Sequence, residues 1–242
     1  MAEGNPPFIR NLASSDLKLR TSALSSLRTF LSARPLSRTD SLKLWSGLFY
    51  ALWMCDRPIP QQNLASELAD LLLVVPGAKE GAGLAVGVWL SAFWEVVGAK
   101  WTTIDVLRME KFLLLVRRVT CASLKWAAEE GGDSGRVDVL TRAMGEWPLS
   151  TDVDRAALGL RLHVVDIWVD ELERAGALGD DAGENAKKVV EGMGELVRGI
   201  MGDYPSKPLR TKAEESLRDE RLPWYEEPEE EDGPDGWQGF GE

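Results

Sequence analysis

The stretch IDVLRMEKFLLLVRRVTCASLKWAA, residues 104–128, predicts the longest helix of the chain. At the helical spacing of about 100° per residue, its apolar side chains cover almost the whole circumference. These side chains are Leu107, Met109, Phe112, Leu113, Leu114, Leu115, Val116 and Val119. A helix that is apolar all round is buried on several sides, so we expect this one to lie at the centre of the fold.

Apolar residues recur with helical spacing on both sides of this stretch as well. Prolines and glycines separate the periodic segments, which predict helices over residues 16–33, 37–53, 61–75, 82–97, 136–147, 152–174 and 185–201. The period of two residues that marks a strand is absent. Ten tryptophans supply bulky side chains whose indole N–H needs a partner when it is buried, so we expect aromatic anchors in the core.

Antiparallel helices of roughly 15–25 residues with short turns between them are typical of stacked helical hairpins. We therefore predict an all-α fold, a HEAT-like solenoid of antiparallel hairpins, over residues 1–203. No repeat consensus recurs at a constant period, so a compact helical bundle stays open as an alternative. Residues 204–242 are predicted to form an extended acidic tail that is disordered or becomes ordered on a partner.

Charge is distributed unevenly along the chain, whose net charge is −11. Residues 213–242 contain 12 acidic residues and two arginines, a balance of −10, whereas residues 1–60 contain eight Lys/Arg and four acidic residues, a balance of +4. The acidic tail also carries Trp224, Tyr225, Trp237 and Phe240. Two interpretations of the tail stay open: a purely solvated segment, or a segment whose aromatic residues anchor it on a basic protein surface.

The residues that several kinds of chemistry require are missing. Two cysteines, Cys55 and Cys121, and one histidine, His163, provide neither a disulfide framework nor a zinc ligand set. The loop GDSG at 132–135 resembles the surroundings of a serine nucleophile, but the histidine lies on a later helix and no β-barrel pattern is present. We therefore predict that the protein is not an enzyme and uses no metal, cofactor or small-molecule substrate.

The start of the chain shows no signal-peptide pattern. No apolar run reaches the roughly 18 residues that cross a bilayer. We therefore expect a soluble, intracellular protein with no membrane partner.

Four cations share one face of the helix predicted over residues 104–128. Arg108, Lys111, Arg118 and Lys125 fall within roughly 100° of one another, whereas Arg117 points elsewhere. Such a face can bind the phosphates of a nucleic acid, or it can be a solvated face whose cations pair with carboxylates, and both interpretations stay open. No signature of an RNA-recognition domain accompanies it, so contact with a nucleic-acid backbone or a protein is favoured over base reading.

Three blocks of sequence resemble one known family. They are WSGLFYALWMCDRPIPQQ at residues 45–62, FWEVVGAKWTTIDVLRMEKFLLLVRRV at 93–119 and GLRLHVVDIWVDEL at 159–172. Their order and their tryptophan, Asp-Arg-Pro, Ile-Asp and double-arginine positions are similar to those of the ribosomal RNA-processing protein one family of eukaryotic nucleolar proteins. The resemblance extends over residues 8–203.

This resemblance implies a non-catalytic assembly factor of the large ribosomal subunit in the nucleolus and nucleus. The implied partners are other assembly factors of the pre-60S particle, which the protein would scaffold, and the precursor rRNA during maturation of its 25S/28S and 5.8S species. At matching positions, Asp56 and Arg57 end one helix, where they can cap it, pair internally or contact a partner. The alternative function is direct RNA binding, in which the four cations of the basic face contact precursor rRNA phosphates.

Overall fold

The structure is a computed structural model that describes residues 7–12, 14, 16–179, 181–203 and 206–227. Within these residues there is no strand, and ten α-helices follow one another: α1 Pro7–Leu12, α2 Leu17–Ala33, α3 Arg38–Trp53, α4 Pro58–Ala69, α5 Leu84–Lys100, α6 Val106–Ala128, α7 Gly135–Glu146, α8 Leu158–Arg174, α9 Glu184–Asp203 and α10 Lys207–Leu217. Short 3₁₀ turns, Asp70–Val74 and Trp101–Thr103, continue α4 and α5. The predicted all-α fold class is confirmed.

From α3 onward, consecutive helices alternate between two layers. Helices α3, α5, α7 and α9 pack side by side in one layer, and α4, α6, α8 and α10 pack side by side in the other. Helices α1 and α2 cover the start of this arrangement, where α1 contacts both α2 and α3. Two layers of sequential helices are the architecture of stacked hairpins, in agreement with the predicted HEAT-like solenoid.

Helix α6 occupies the centre of the fold. It contacts α4 and α8 within its own layer and α7 and α9 in the opposite layer. The side chain of Asp105 caps its first turn by accepting hydrogen bonds from the backbone N–H groups of Leu107 and Arg108, at 3.1 and 3.2 Å. The apolar surface is nevertheless not buried all round: one stripe faces solvent, and Leu107 is 89% exposed there.

Tryptophans anchor the core as expected from their number. Trp45 packs against Trp89 and Phe93, with ring centroids 4.7 and 4.9 Å apart, and its indole N–H donates to the Trp89 carbonyl at 3.1 Å. Trp126 donates to the Ala78 carbonyl at 2.7 Å. Its ring lies so close to Gly83 that a Cβ there would come within 2.3 Å of it, so this position, with φ +68°, requires glycine.

Several helix boundaries differ from the predicted ones. Helix α8 starts at Leu158 rather than at residue 152, because the guanidinium of the buried Arg161 donates hydrogen bonds to the carbonyls of Ser150, Asp152 and Ala156. The carbonyls that a helix would have used are thus committed to a side chain. The helix predicted over 61–75 begins earlier, at Pro58, and ends as a 3₁₀ turn.

The boundary predicted at residue 203 is wrong. Helix α10 packs on α8 and α9, and Leu209, Ala213 and Leu222 are buried. These three apolar residues give the segment after α9 a face to bury, so residues 206–227 belong to the folded body rather than to a tail. The remainder of the predicted tail, with Trp237 and Phe240, lies outside the described residues.

Candidate interaction surfaces

The basic face predicted on α6 is not one open surface. Lys111 is 5% exposed, and its ammonium donates to the carbonyls of Trp53 and Cys55 at 2.7 and 3.0 Å. Burial lowers the pKa of Lys111. This lysine joins α6 to the end of α3, so its ammonium is not available to bind a phosphate.

Arg108 is also engaged within the protein. Its guanidinium bonds the Asp105 carboxylate at 2.5 Å and lies 5.1 Å from the centre of the Trp53 ring. This hydrogen bond lowers the pKa of Asp105. Arg108 therefore orders the first turn of α6 and covers the Trp53 ring.

Arg118 and Lys125 are the two predicted cations that remain unpaired. Lys125 is exposed on α6, and Arg118 is half-buried with an Nε that has no hydrogen-bond partner. Neither side chain makes an ion pair with any residue that the structure describes. Both are placed on the solvent-facing stripe of α6, where a negatively charged group can reach them.

Arg117, which the sequence placed apart from this face, belongs to an ion-pair network. It bonds Asp170 at 3.0 Å and the fully buried Glu171 at 2.6 Å. Arg221 extends the network, since it reaches Asp170 at 3.1 Å and Glu173 at 2.8 Å. Burial would raise the pKa of Asp170, but hydrogen bonds from Arg117 and Arg221 hold it below its ordinary value. The network joins α6, α8 and the segment after α10.

Asp56 and Arg57 lie in the turn between α3 and α4, and both are exposed. The Asp56 carboxylate is 4.0 Å from the Lys111 ammonium, a distant internal pair. Arg57 occupies the residue before α4 and makes no side-chain cap bond. The Asp56–Lys111 pair corresponds to the internal pairing among the three roles open to these residues, and contact with a partner stays a prediction.

The predicted tail anchors separate into two kinds. Trp224 packs on the protein itself: its ring stacks on Trp168 with centroids 6.5 Å apart, the Arg198 guanidinium lies 4.4 Å from its centre, and its N–H donates to the Leu217 carbonyl at 3.0 Å. Trp224 is thus an internal anchor, which corrects its predicted role on a partner. Tyr225 is 36% exposed.

His163 has a structural environment. Its Nε2 lies 3.1 Å from the Leu113 carbonyl of α6, so the ring donates a hydrogen bond that ties α8 to α6. Burial lowers the pKa of this imidazole, which favours the neutral form. In the part of the chain that the structure describes, no three His, Cys, Asp or Glu side chains are grouped as a metal site, and no helix has the length and apolarity to span a membrane.

A two-layer stack of sequential helices, joined by internal ion pairs such as Arg117–Glu171, places the chain among helical-repeat proteins. A family model described as nucleolar protein, Nop52, matches residues 3–238. The chain belongs to this family.

Relatives with established names agree with the match. The chain is 30% identical over 186 residues to ribosomal RNA processing protein 1 homolog B of Homo sapiens. The matched region covers 74% of this chain and 24% of the relative. The chain is 32% identical over 189 residues to homolog A of Mus musculus, with 74% and 37% covered. In Drosophila melanogaster the homologue is 29% identical over 173 residues, with 69% and 24% covered. The chain thus spans about a quarter to two fifths of the length of these relatives, and the resemblance noted in the sequence is confirmed.

Proposed function

We propose that this protein is a non-catalytic ribosome assembly factor that acts in rRNA processing in the nucleolus. In this role it scaffolds other assembly factors on the precursor of the large subunit while the 25S/28S and 5.8S rRNA species mature. The observation that carries the proposal is the family match over residues 3–238, together with relatives that are named ribosomal RNA processing proteins. The proposed partners are other large-subunit assembly factors and the precursor particle with its rRNA.

The architecture supports a scaffold role. From α3 onward, each helix packs on the helix two places along the chain, so the stack presents a long surface from many short elements, and such surfaces bind extended partners. The ion-pair network of Arg117, Glu171 and Arg221 makes α6, α8 and the segment after α10 one unit. Partners that dock at separate places on the stack are thereby held in fixed relative positions.

Affinity purification of the tagged protein tests this function. The preparation is divided, treated with or without ribonuclease, and washed at moderate or high salt before co-purified proteins and RNA are identified. We expect large-subunit assembly factors to persist after the RNA is destroyed. Loss of every factor together with the RNA would refute the protein-scaffold role, and absence of any large-subunit precursor would refute the role in ribosome assembly.

A second candidate function is direct contact with precursor rRNA. The observation that favours it is the pair Arg118 and Lys125, unpaired cations on the exposed stripe of α6. Binding of naked RNA by Arg118→Glu/Lys125→Glu, measured over a range of salt concentrations, gives their contribution. The matched control is Arg34→Glu/Lys43→Glu, a pair of exposed cations of which one follows α2 and the other lies on α3. We expect the first pair to reduce the slope of log affinity against log salt by about 1–2. Unchanged affinity in that variant would dismiss the RNA-binding function.

A further inference from the structure

Four large apolar side chains are exposed around the end of α3 and the start of α6. Leu107 is 89% exposed, Val106 84%, Met54 65% and Tyr50 52%. We call these four residues the α3–α6 patch. Exposed apolar side chains that gather in one place mark interaction sites on soluble proteins, whereas single ones scattered over a surface need no explanation.

Side-chain contacts join the end of α3 to the first two turns of α6, the two places where these residues lie. The Lys111 ammonium bonds the carbonyls of Trp53 and Cys55, which flank Met54 in the chain. Leu107 directly precedes Arg108 and lies one helical turn before Lys111, so it belongs to the same two turns of α6 that meet the end of α3. The Arg108 guanidinium covers the Trp53 ring at 5.1 Å, and that ring lies 6.5 Å from the ring of Tyr50.

Folding does not account for the exposure of Val106 and Leu107. They occupy the first two positions of α6, where the Asp105 side chain already caps the helix and a polar residue is tolerated. Their side chains bury almost no surface within the protein. A partner that covers these two side chains therefore gains the free energy of burying them.

The charges around the patch favour a negatively charged occupant. The Lys100 ammonium lies 4.8 Å from the centre of the Tyr50 ring and 3.4 Å from its hydroxyl, and no described carboxylate is within ion-pair distance of it. Arg57 is exposed in the α3–α4 turn without a side-chain cap bond. The other two cations nearby, Arg108 and Lys111, face Asp105 and Asp56 respectively. Glu110, exposed on α6 one turn after Leu107, is the unpaired carboxylate nearby, and Lys100 and Arg57 together outnumber it, so the rim of the patch keeps a net positive charge.

We propose that the α3–α6 patch docks a segment of a partner protein that carries leucine or phenylalanine side chains beside glutamates or aspartates. The apolar side chains of the segment cover Leu107, Val106 and Met54, and its carboxylates meet Lys100 and Arg57. A protein segment is favoured over RNA because three of the four patch residues are aliphatic and offer no ring on which a base can stack. The inference rests on the proposed scaffold function, for which it names the chemistry of one partner.

Binding of a defined peptide tests this surface. The probe is a fluorescein-labelled peptide that repeats Glu-Glu-Leu-Phe-Glu, and the control probe has lysine in place of every glutamate. Fluorescence anisotropy at low salt gives the Kd for the full chain and for the variants Leu107→Ser and Lys100→Glu. The matched controls are Leu84→Ser, a 73% exposed leucine at the first position of α5, and Lys187→Glu, an exposed lysine on α9.

We expect the acidic peptide to bind the full chain and Leu107→Ser to weaken it by about tenfold, since burial of a leucine side chain is lost. Lys100→Glu should weaken the acidic peptide and allow the lysine peptide to bind, whereas both control variants should leave the Kd unchanged. Absence of saturable binding, equal losses in the control variants, or binding of an oligouridine probe in place of the peptide would overturn the proposal. Such a result would leave co-purification with large-subunit precursors unaffected, so it is distinguishable from failure of the proposed function.

Discussion

Replacing Gly194 with alanine should destabilise the protein, although the same substitution at Gly199 on the same helix should stabilise it. Both glycines lie within α9, where alanine is favoured over glycine by about 1 kcal/mol. A Cβ at Gly199 meets no atom within 4 Å, so the full helix-propensity gain is expected there. A Cβ at Gly194 would lie 2.4 Å from the indole of Trp224, which must then move away.

The contacts of Trp224 set the size of the effect. Displacement of its ring loses the stacking on Trp168, about 1 kcal/mol. It also loses the cation–π contact with Arg198 and the hydrogen bond to Leu217, each about 1 kcal/mol. These losses exceed the gain in helix propensity, so we expect Gly194→Ala to lower the free energy of unfolding by about 2 kcal/mol.

Urea unfolding followed by far-ultraviolet circular dichroism measures both variants. A third measurement places Gly194→Ala in the background of Trp224→Ala, where no indole obstructs the new methyl group. In that background Gly194→Ala should become stabilising, as Gly199→Ala is in the wild-type chain. Equal stability changes for Gly194→Ala and Gly199→Ala in the wild-type background would show that Trp224 does not pack on α9, and would refute the assignment of residues 206–227 to the folded body.

Three further predictions concern the buried polar residues. Lys111→Met should lower the free energy of unfolding by about 2–4 kcal/mol in urea titrations, because two buried carbonyls lose a charged donor, whereas Lys125→Met should leave it unchanged. Arg117→Met should cost about 3–5 kcal/mol by the same measurement, since it removes the closest partner of the buried Glu171, and Arg117→Met/Glu171→Met should recover most of that loss. Burial lowers the pKa of His163, so the unfolded chain binds this proton more readily and stability falls as the pH drops through the ordinary histidine value. His163→Gln should reduce the slope of unfolding free energy against pH between about pH 7 and 5, and an unchanged slope would show that His163 is not buried as described.

The central helix was predictable because its signals are local. The Asp105 cap, the apolar run that follows and the absence of proline or glycine all belong to neighbouring residues, and α6 occupies Val106–Ala128 accordingly. The start of α8 was not predictable, because the carbonyls of Ser150 and Asp152 are taken by Arg161 from a later turn. This competition between a side chain and the helical backbone for the same carbonyls depends on how the chain folds back on itself, so the spacing of apolar residues does not reveal it.

The basic face shows the same limit at the level of a site. Periodicity correctly places Arg108, Lys111, Arg118 and Lys125 on one side of α6, since that follows from the helical angle alone. It does not show that the end of α3 approaches this side and accepts hydrogen bonds from Lys111. The clue present in the sequence is the Cys55-Asp56-Arg57-Pro58 turn, which leaves the last carbonyls of a helix in need of donors, but the donor comes from residues more than fifty positions away.

Internal pairing determines which part of the stack can attract a charged partner. On α8, Asp166 bonds Lys212 at 2.6 Å, and Asp170 and Glu173 bond Arg221, so these three carboxylates are neutralised by cations of α10 and of the residues after it. Near the start of α6, Lys100 at the end of α5 has no carboxylate within ion-pair distance among the residues that the structure describes, and it lies beside side chains whose apolar surface is exposed to water. Exposed ion pairs contribute little to affinity by themselves, whereas a charge next to apolar surface gains strength as water is excluded. Because the α3–α6 patch combines both features, changes at Leu107 and Lys100 should each weaken partner binding, and Leu107→Ser should do so without affecting the stability of the fold.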